Sequence, residues 1–401
     1  MSLRHGTPLW LAQGPAPIET LPLSSDATAD VAILGAGITG ALLAYTLVRS
    51  GFSVIVLDKR PLGTGSTAAS TGLLQYEIDV PLLELIEKVG EAPAVHAYRR
   101  GLEAINELES LVRSLNADCG FARCDTLYFA SHFWHRHRLA QQYECLRHFG
   151  FDVEWLDRAG LAEATSIAAA GAIRARGDAQ IDPYRLTQAL LHQAIAHGAQ
   201  AYSNTEVLEI AADQSPAVLL TGSHRVTADK IVFATGYDSN RYLRTKLGSL
   251  HSTFAVVSEP LKSNAGWPAD CLLWETARPY FYARRSEDGR AIIGGEDTSF
   301  SSDHYSDRLI EHKAKKLAER FAELFPQIEF IPEFAWGGVF GESADGLAYI
   351  GRPPDQPNCY FAIGYGGNGI TFSVIAANLI RDQLLRRPNP DAHVFGFERA
   401  T

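Results

Sequence analysis

Gly35, Gly37 and Gly40, in the run GAGITG, stand between an apolar stretch (Val31, Ala32, Ile33, Leu34) and a small-residue helix from Ala41 to Arg49, closed by Ser50 and Gly51. A diphosphate needs backbone N–H donors at close range, and a helix N-terminus presents them with a favourable dipole. Gly35 permits the tight turn off the strand, Gly37 lets the backbone approach the phosphates, and Gly40 lets the helix pack closely on the sheet. Ala36, Ile38 and Thr39 complete the turn. A second apolar run, Val54 to Leu57, ends at Asp58, where a carboxylate can accept from both hydroxyls of an adenosine ribose; Lys59 and Arg60 follow it. The glycine pattern alone is a weak signal. Its placement between strand and helix, with the acid closing the next strand, makes it a βαβ nucleotide unit.

A second glycine cluster lies near the other end of the chain. The strand Cys359 to Ile363 runs into Gly364-Tyr365-Gly366-Gly367-Asn368-Gly369, and Ile370 and Thr371 open a helix with Thr371 or Ser373 as its N-cap. Amide donors at such a helix start would stabilise negative charge gathering on the pyrimidine ring of a reduced flavin. Between the two clusters, Gly63 to Gly72 is small and hydroxylated; Ser66, Ala68, Ala69, Ser70 and Gly72, with Leu73 after them, would let a planar group lie against backbone. NAD and FAD both suit the first motif.

The elements that must carry these loops follow from periodicity. Residues 1–26 are rich in Pro, Ser and Thr and read as an arm with little regular structure. After Pro81 the spacing of Leu82, Leu85, Ile86 and Val89, then of Leu102, Ile105, Leu108, Val112 and Leu115, predicts helices. Asp182-Pro183 reads as an N-cap with Pro at the first helical position of a helix stopping at Gly198. Phe254 to Gly295 alternates like an antiparallel sheet, with a hairpin at Glu287-Asp288-Gly289, and a helix with Leu309, Leu317, Phe321 and Leu324 on one face stops at Pro326. The uncharged stretch Val31 to Val48 is long enough to mimic a membrane span, but its glycines mark a strand, a turn and a buried helix.

Bulk properties narrow the partners. A chain of 401 residues with 46% apolar composition buries a large core, and a net charge of −10 gives no footprint for nucleic acid. Five scattered cysteines without a CxxC pair fit a reducing compartment, and the N-terminus lacks the apolar core of a secretory signal, so a cytoplasmic location is expected. His132, His135 and His137 have no carboxylate or cysteine partner in sequence that completes a metal set.

The motifs together resemble the D-amino-acid oxidase-like family of flavoproteins, which includes glycine oxidase, sarcosine oxidase and D-amino-acid dehydrogenase. The matching segments are DVAILGAGITG, Asp58, GSTAASTG, Asp182-Pro183 with its helix, Thr205-Glu206-Val207, Phe233-Ala234-Thr235-Gly236 and GYGGNGITFS, in order over almost the whole chain. The resemblance implies an α/β fold: a Rossmann-like FAD-binding domain (27–80, 151–240 and 335–401) interleaved with a substrate domain (81–150 and 241–334) on a mixed, largely antiparallel sheet. It implies non-covalent FAD, with Val207 meeting the adenine and Ala234, Thr235, Gly236, Gly338, Gly364 and Gly366 to Thr371 along the dinucleotide. It also implies hydride transfer from the carbon beside an amine nitrogen, with oxygen or another electron acceptor.

Three departures bear on that activity. Gly338 stands where sarcosine oxidase-like members attach flavin to cysteine, and no lysine stands near Ile292 or Ile293, where such members use one in oxygen reaction. The arginine that grips a substrate carboxylate in glycine oxidase-like members is replaced by Gly367, and basic residues of sarcosine oxidase-like members by Gln75 and Thr371. Arg278, Arg284 and Arg285 are then the expected substitutes, on or beside the strand whose Tyr280 and Tyr282 are expected to wall the substrate cavity. A flavin monooxygenase, or a flavoprotein with a sensing or partner role and little turnover, shares the first motif and remains open.

Overall fold

The computed structural model describes residues 4–244, 247–269, 271–300 and 306–400. Two sheets organise it. The first runs Tyr349–Gly351, Cys359–Ile363, Arg225–Phe233, Ala27–Leu34, Val54–Leu57 and Gln200–Tyr202, with the hairpin strands Glu209–Ala211 and Ala217–Leu220 off one side. The four pairings that link its five strands from Cys359–Ile363 to Gln200–Tyr202 are parallel. Parallel strands are covered on both faces, and the continuous apolar runs of Val31 to Leu34 and Val54 to Leu57 are accordingly all buried. Helices Ile38–Val48, Pro183–Ala196 and Gly369–Leu384 pack together over this sheet, joining Leu43, Leu47, Leu190, Ile375 and Leu379 into one core. The uncharged stretch from Val31 to Val48 is thus a strand and a buried helix, and among the described residues no helix is long and apolar enough to cross a membrane.

The second sheet has ten strands. It runs from Arg4–Gly6 through Pro332–Glu342, Ser249–Pro260, Arg290–Ser299, Tyr282–Arg285, Cys271–Glu275, Ala122–Phe129 and Ala172–Gln180 to Leu73–Leu74, with Val153–Leu156 also on Ala172–Gln180. All its pairings are antiparallel except that of Cys271–Glu275 with Ala122–Phe129. The helix Asp307–Leu324 closes one face, laying Ile310, Leu317 and Phe321 on Phe254, Val256 and Ile293. Ser306 starts that helix by accepting the Leu309 amide. Asp182 caps Pro183–Ala196 as expected, taking the Tyr184 and Arg185 amides at 2.9 Å each.

Three sequence-based boundaries are corrected. Residues 153–156 and 172–180, assigned to the nucleotide domain, pair instead into the second sheet, because Ala172–Gln180 is held between Ala122–Phe129 and the short strands Val153–Leu156 and Leu73–Leu74. The boundary at residue 335 falls inside Pro332–Glu342, a single strand of that sheet. The N-terminal arm is structured: Arg4–Gly6 pairs with Pro332–Glu342, and Leu9–Gln13 is a short helix burying Leu9 and Trp10.

Candidate active site

A single elongated cavity starts at the C-terminal ends of the parallel strands, lined by Leu34, Leu57, Ala234 and Ile363, and continues to the face of the second sheet carrying Tyr282 and Gly338. Ligands of open parallel sheets bind outside these strand ends. Helices Ile38–Val48 and Gly369–Leu384 both start beside the cavity, so two helix N-termini open onto one space.

At the first helix start the three glycines have different duties. Gly35 has φ +99°, and an added Cβ would lie 2.4 Å from the Ala234 carbonyl. A Cβ on Gly40 would be 1.9 Å from the Gly35 carbonyl, so Gly40 serves packing and does not face the cavity. Gly37 lines it, and there a Cβ would stand 2.8 Å from Thr67 Oγ1. That hydroxyl accepts the Ile38 amide at 2.9 Å, tying the hydroxylated loop to the helix start. Asp58 braces the same turn, accepting the Ala36 amide at 2.8 Å and the Arg60 amide at 2.9 Å. Burial pushes its carboxyl up from the usual range, and those two amides pull it back. Lys59 pairs with Asp238 at 2.8 Å.

The hydroxylated loop is held from behind by two indoles. Trp336 donates to the Ala69 carbonyl at 2.9 Å and Trp10 to the Ser70 carbonyl at 2.6 Å. Ser66, Ala69, Ser70 and Leu73 line the cavity; Ala36, Ala68 and Gly72 do not, and Gly72 instead meets the Ile181 amide through its carbonyl at 3.0 Å. Ser66 Oγ is buried beside the cavity and has no hydrogen-bond partner among the described residues.

The last glycine loop departs from expectation at its cap. The helix begins at Gly369 after Asn368, placing Thr371 and Ser373 inside it; their hydroxyls donate back to the Asn368 and Gly369 carbonyls at 3.0 and 2.6 Å. Neither is an N-cap, and Thr371 does not line the cavity. Asn368 instead donates its amide to the Gln75 and Glu77 carbonyls at 3.0 Å each, locking the segment after Leu73 against the loop. Gly364, Gly366, Gly367, Asn368, Gly369 and Ile370 all line the cavity, as do Thr39, Val207, Thr235, Gly236 and Gly338.

Tyr280 and Tyr282 do line the far end, together with Trp274. The three arginines do not. Arg284 is buried at 3% exposure, donates to the Thr71 carbonyl at 2.7 Å and the Ile181 carbonyl at 3.1 Å, and lies over the Trp10 ring; burial pulls its guanidinium down to about 10. It therefore braces the loop and is not placed to meet a substrate. Arg278 is exposed, 5.0 Å from the Tyr280 ring centroid and bonded to the Ala277 and Asp79 carbonyls, and Arg285 lies beyond Arg284 on the same strand.

Residues that sequence reasoning missed cluster at the same end. Asp79 accepts the Tyr280 hydroxyl at 2.9 Å and the Gly367 amide at 2.5 Å. Asp297 and Glu77 also line the cavity; burial pushes their carboxyls up to about 6 and about 8. Glu77 and Asp79 lie two residues apart on the segment after Leu73–Leu74, and only the fold brings Asp297, on the distant strand Arg290–Ser299, to the same end of the cavity.

Such a two-sheet frame, with a groove between paired helix starts, defines a dinucleotide-binding oxidoreductase fold. The chain belongs to the FAD-dependent oxidoreductase (DAO) family, whose description matches residues 30–383. It is 28% identical over 370 residues to glycine oxidase of Geobacillus kaustophilus, covering 89% of this chain and 93% of that protein. Gamma-glutamylputrescine oxidoreductase of Escherichia coli is 25% identical, over 92% of this chain and 86% of its own length. The crystal structure of the Geobacillus kaustophilus glycine oxidase superimposes with a TM-score of 0.78 at 25% identity, covering 93% of this chain and 99% of that one. L-proline dehydrogenase from P. horikoshii shares the fold, with a TM-score of 0.76.

The residues present fit FAD. Amide donors stand at both helix starts, Ser66 Oγ lacks a partner, and the Cβ positions of Gly236 and Gly369 meet no protein atom within 4 Å although both residues line the cavity.

Proposed function

We propose that the protein oxidises the carbon–nitrogen bond of a small amine or amino acid. The observation that carries this reading is the continuity of one cavity from Asp58 to the aromatic corner of Trp274, Tyr280 and Tyr282. One end suits an adenosine and the other a flat ring with a small molecule over it. Bound FAD supplies the acceptor for a hydride from the carbon beside nitrogen, and the nitrogen lone pair closes to an imine that water hydrolyses to a carbonyl compound and the freed amine or ammonia.

The chain's own groups position and shield. Helix Ile38–Val48 and the Thr67-braced turn would hold the diphosphate, Asp58 the ribose, and Val207 the adenine; all of them line the cavity. Of the loop amides, those of Gly366, Gly367 and Asn368 are taken up by the Gly341 carbonyl, Asp79 and the Tyr365 carbonyl, so the amides at the helix start from Gly369 on would be the donors toward the ring's electron-rich edge, with Gly338 and Ser70 lining the same stretch of cavity. Attachment is non-covalent: among the described residues no cysteine lines the cavity, and none of the five is in a disulfide. Those thiols suit a cytoplasmic protein. Oxygen or another acceptor takes the electrons onward.

Anaerobic mixing of the FAD-loaded protein with amines, amino acids and N-methyl amino acids tests this reading. Bleaching of the flavin absorbance without NAD(P)H, with release of a carbonyl product, is expected. Bleaching only by NAD(P)H, or by nothing in the set, would overturn it.

A further inference from the structure

We propose that the substrate end of the cavity takes an amine carrying a second positive charge and no carboxylate, an α,ω-diamine or longer polyamine, its remote ammonium held by Asp79 and Asp297 against Trp274, Tyr280 and Tyr282. This rests on the carbon–nitrogen oxidation proposed above and names its substrate class.

Charge is the first support. The cations lining the cavity, Lys59, Arg60 and Arg241, lie with Asp58 and Asp238 at the nucleotide end. Among the described residues, every acidic or basic side chain lining the other end is a carboxyl: Asp79 and Asp297, with Glu77 beside them. The cations nearest that end do not line it, though Lys313 lies close enough to offset part of the cost of burying Asp297. Arg278 sits at the rim, bonded to backbone carbonyls. Lys313 is held at 2.9 Å by both the carbonyl and the carboxylate of Glu296, and His251 Nε2 lies 2.9 Å from Ser249 Oγ. Glu342 adds a further acid in the field of Asp79. A substrate carboxylate entering here would meet like charge and no donor fork, whereas an ammonium would meet opposite charge.

Unpartnered groups are the second support. Glu77 and Trp274 are 3% and 4% exposed and line this end, yet Glu77 Oε2 and Trp274 Nε1 have no hydrogen-bond partner among the described residues. Asp297 Oδ1 is likewise buried and unpartnered. Buried polar atoms left so are costly unless a ligand completes them. Asp79, in contrast, is fixed by Tyr280 and Gly367, and a Cβ on Gly367 would stand 2.8 Å from its Oδ1. No side chain can extend from residue 367 into the cavity without expelling that carboxylate.

Aromatic geometry is the third. The Trp274 and Tyr280 centroids are 6.2 Å apart at 88°, and those of Tyr280 and Tyr282 are 5.9 Å apart at 53°. Rings set at angles around an acid pair offer π faces to an alkylammonium.

Cadaverine and δ-aminovalerate, equal in carbon count with a carboxylate in place of one aminomethyl group, separate the possibilities. Calorimetric titration of the FAD-loaded protein and anaerobic flavin bleaching are both read. Cadaverine is expected to bind at least roughly tenfold more tightly than δ-aminovalerate, and Asp79→Asn or Asp297→Asn to erase most of that preference. Equal or tighter binding of δ-aminovalerate, or an undiminished preference in both variants, would overturn the proposal. Bleaching by amino acids with no binding of cadaverine removes the diamine reading and leaves carbon–nitrogen oxidation standing. Selective cadaverine binding without bleaching by any amine does the reverse.

Discussion

The hydroxyls of Thr39 and Ser373, 334 positions apart in the chain, lie 2.7 Å from each other in the core where the first and last cofactor-facing helices begin. Ser373 directs its proton to the Gly369 carbonyl at 2.6 Å, so Thr39 is the donor between them. This bond fixes the distance between the two helix starts that open onto the cavity. Ser373→Ala should lower stability by about 1–2 kcal/mol, since it leaves the Thr39 hydroxyl buried without its acceptor, and should weaken FAD retention. Urea unfolding and FAD titration check both, and unchanged values would show that the helix starts are set by other contacts.

The glycines of the first motif separate packing from cofactor access. Gly40→Ala drives a Cβ into the Gly35 carbonyl, a backbone atom that cannot swing away, and should cost about 3 kcal/mol or more. Gly369→Ala meets no protein atom within 4 Å and should leave unfolding of the apoprotein unchanged while raising the FAD dissociation constant. Equal FAD affinity in Gly369→Ala and wild type would place the cofactor elsewhere.

Arg284 and Arg278 should respond in opposite ways. Arg284→Met removes a buried guanidinium from the Thr71 and Ile181 carbonyls and should destabilise by about 2–4 kcal/mol. Arg278 is exposed, and Arg278→Ala should leave the unfolding midpoint within about 0.5 kcal/mol of wild type. A stable Arg284→Met variant with a raised KM would restore the role expected from its sequence position.

Glu77 and Asp178 give stability a pH dependence. Burial pushes Glu77 up to about 8 and Asp178 to about 7, each above its ordinary value, and the two repel when ionised. The folded state therefore holds these protons more tightly than the unfolded one. The contribution is complete below the ordinary carboxyl range and lost as pH rises through about 7 to 8, at roughly 1.4 kcal/mol per unit of upward displacement. Melting temperature should fall across neutral pH, and Glu77→Gln should flatten that fall. The two steps belong to the pair, so a profile that is already flat in wild type would contradict both assignments together.

Local pattern made much of this molecule readable. The strand Cys359–Ile363, the capped helix Pro183–Ala196 and the first βαβ unit stand where periodicity and turn residues place them. What depends on partners distant in sequence was not readable. Ala172–Gln180 carries no mark of which sheet it joins, since its neighbours Ala122–Phe129 and Leu73–Leu74 are set by tertiary pairing. Tyr282 and Arg284 share one strand face by alternation, yet only the tyrosine reaches the cavity, because Trp10 from the N-terminal arm covers the arginine. Asp79 and Asp297 meet only through folding, and no spacing rule links them. Thr371 and Ser373 read as caps in sequence but lie inside the helix, and Asn368, which holds the cap position, turns its side chain to clamp Gln75 and Glu77.

Titration of the apoprotein with FAD decides whether one dinucleotide spans the cavity from Asp58 to Gly367. Uptake should saturate at one FAD per chain, weaken in Gly369→Ala, and yield intact FAD on acid precipitation. Well-folded protein that takes up no FAD, or takes it up identically in that variant, would contradict the placement.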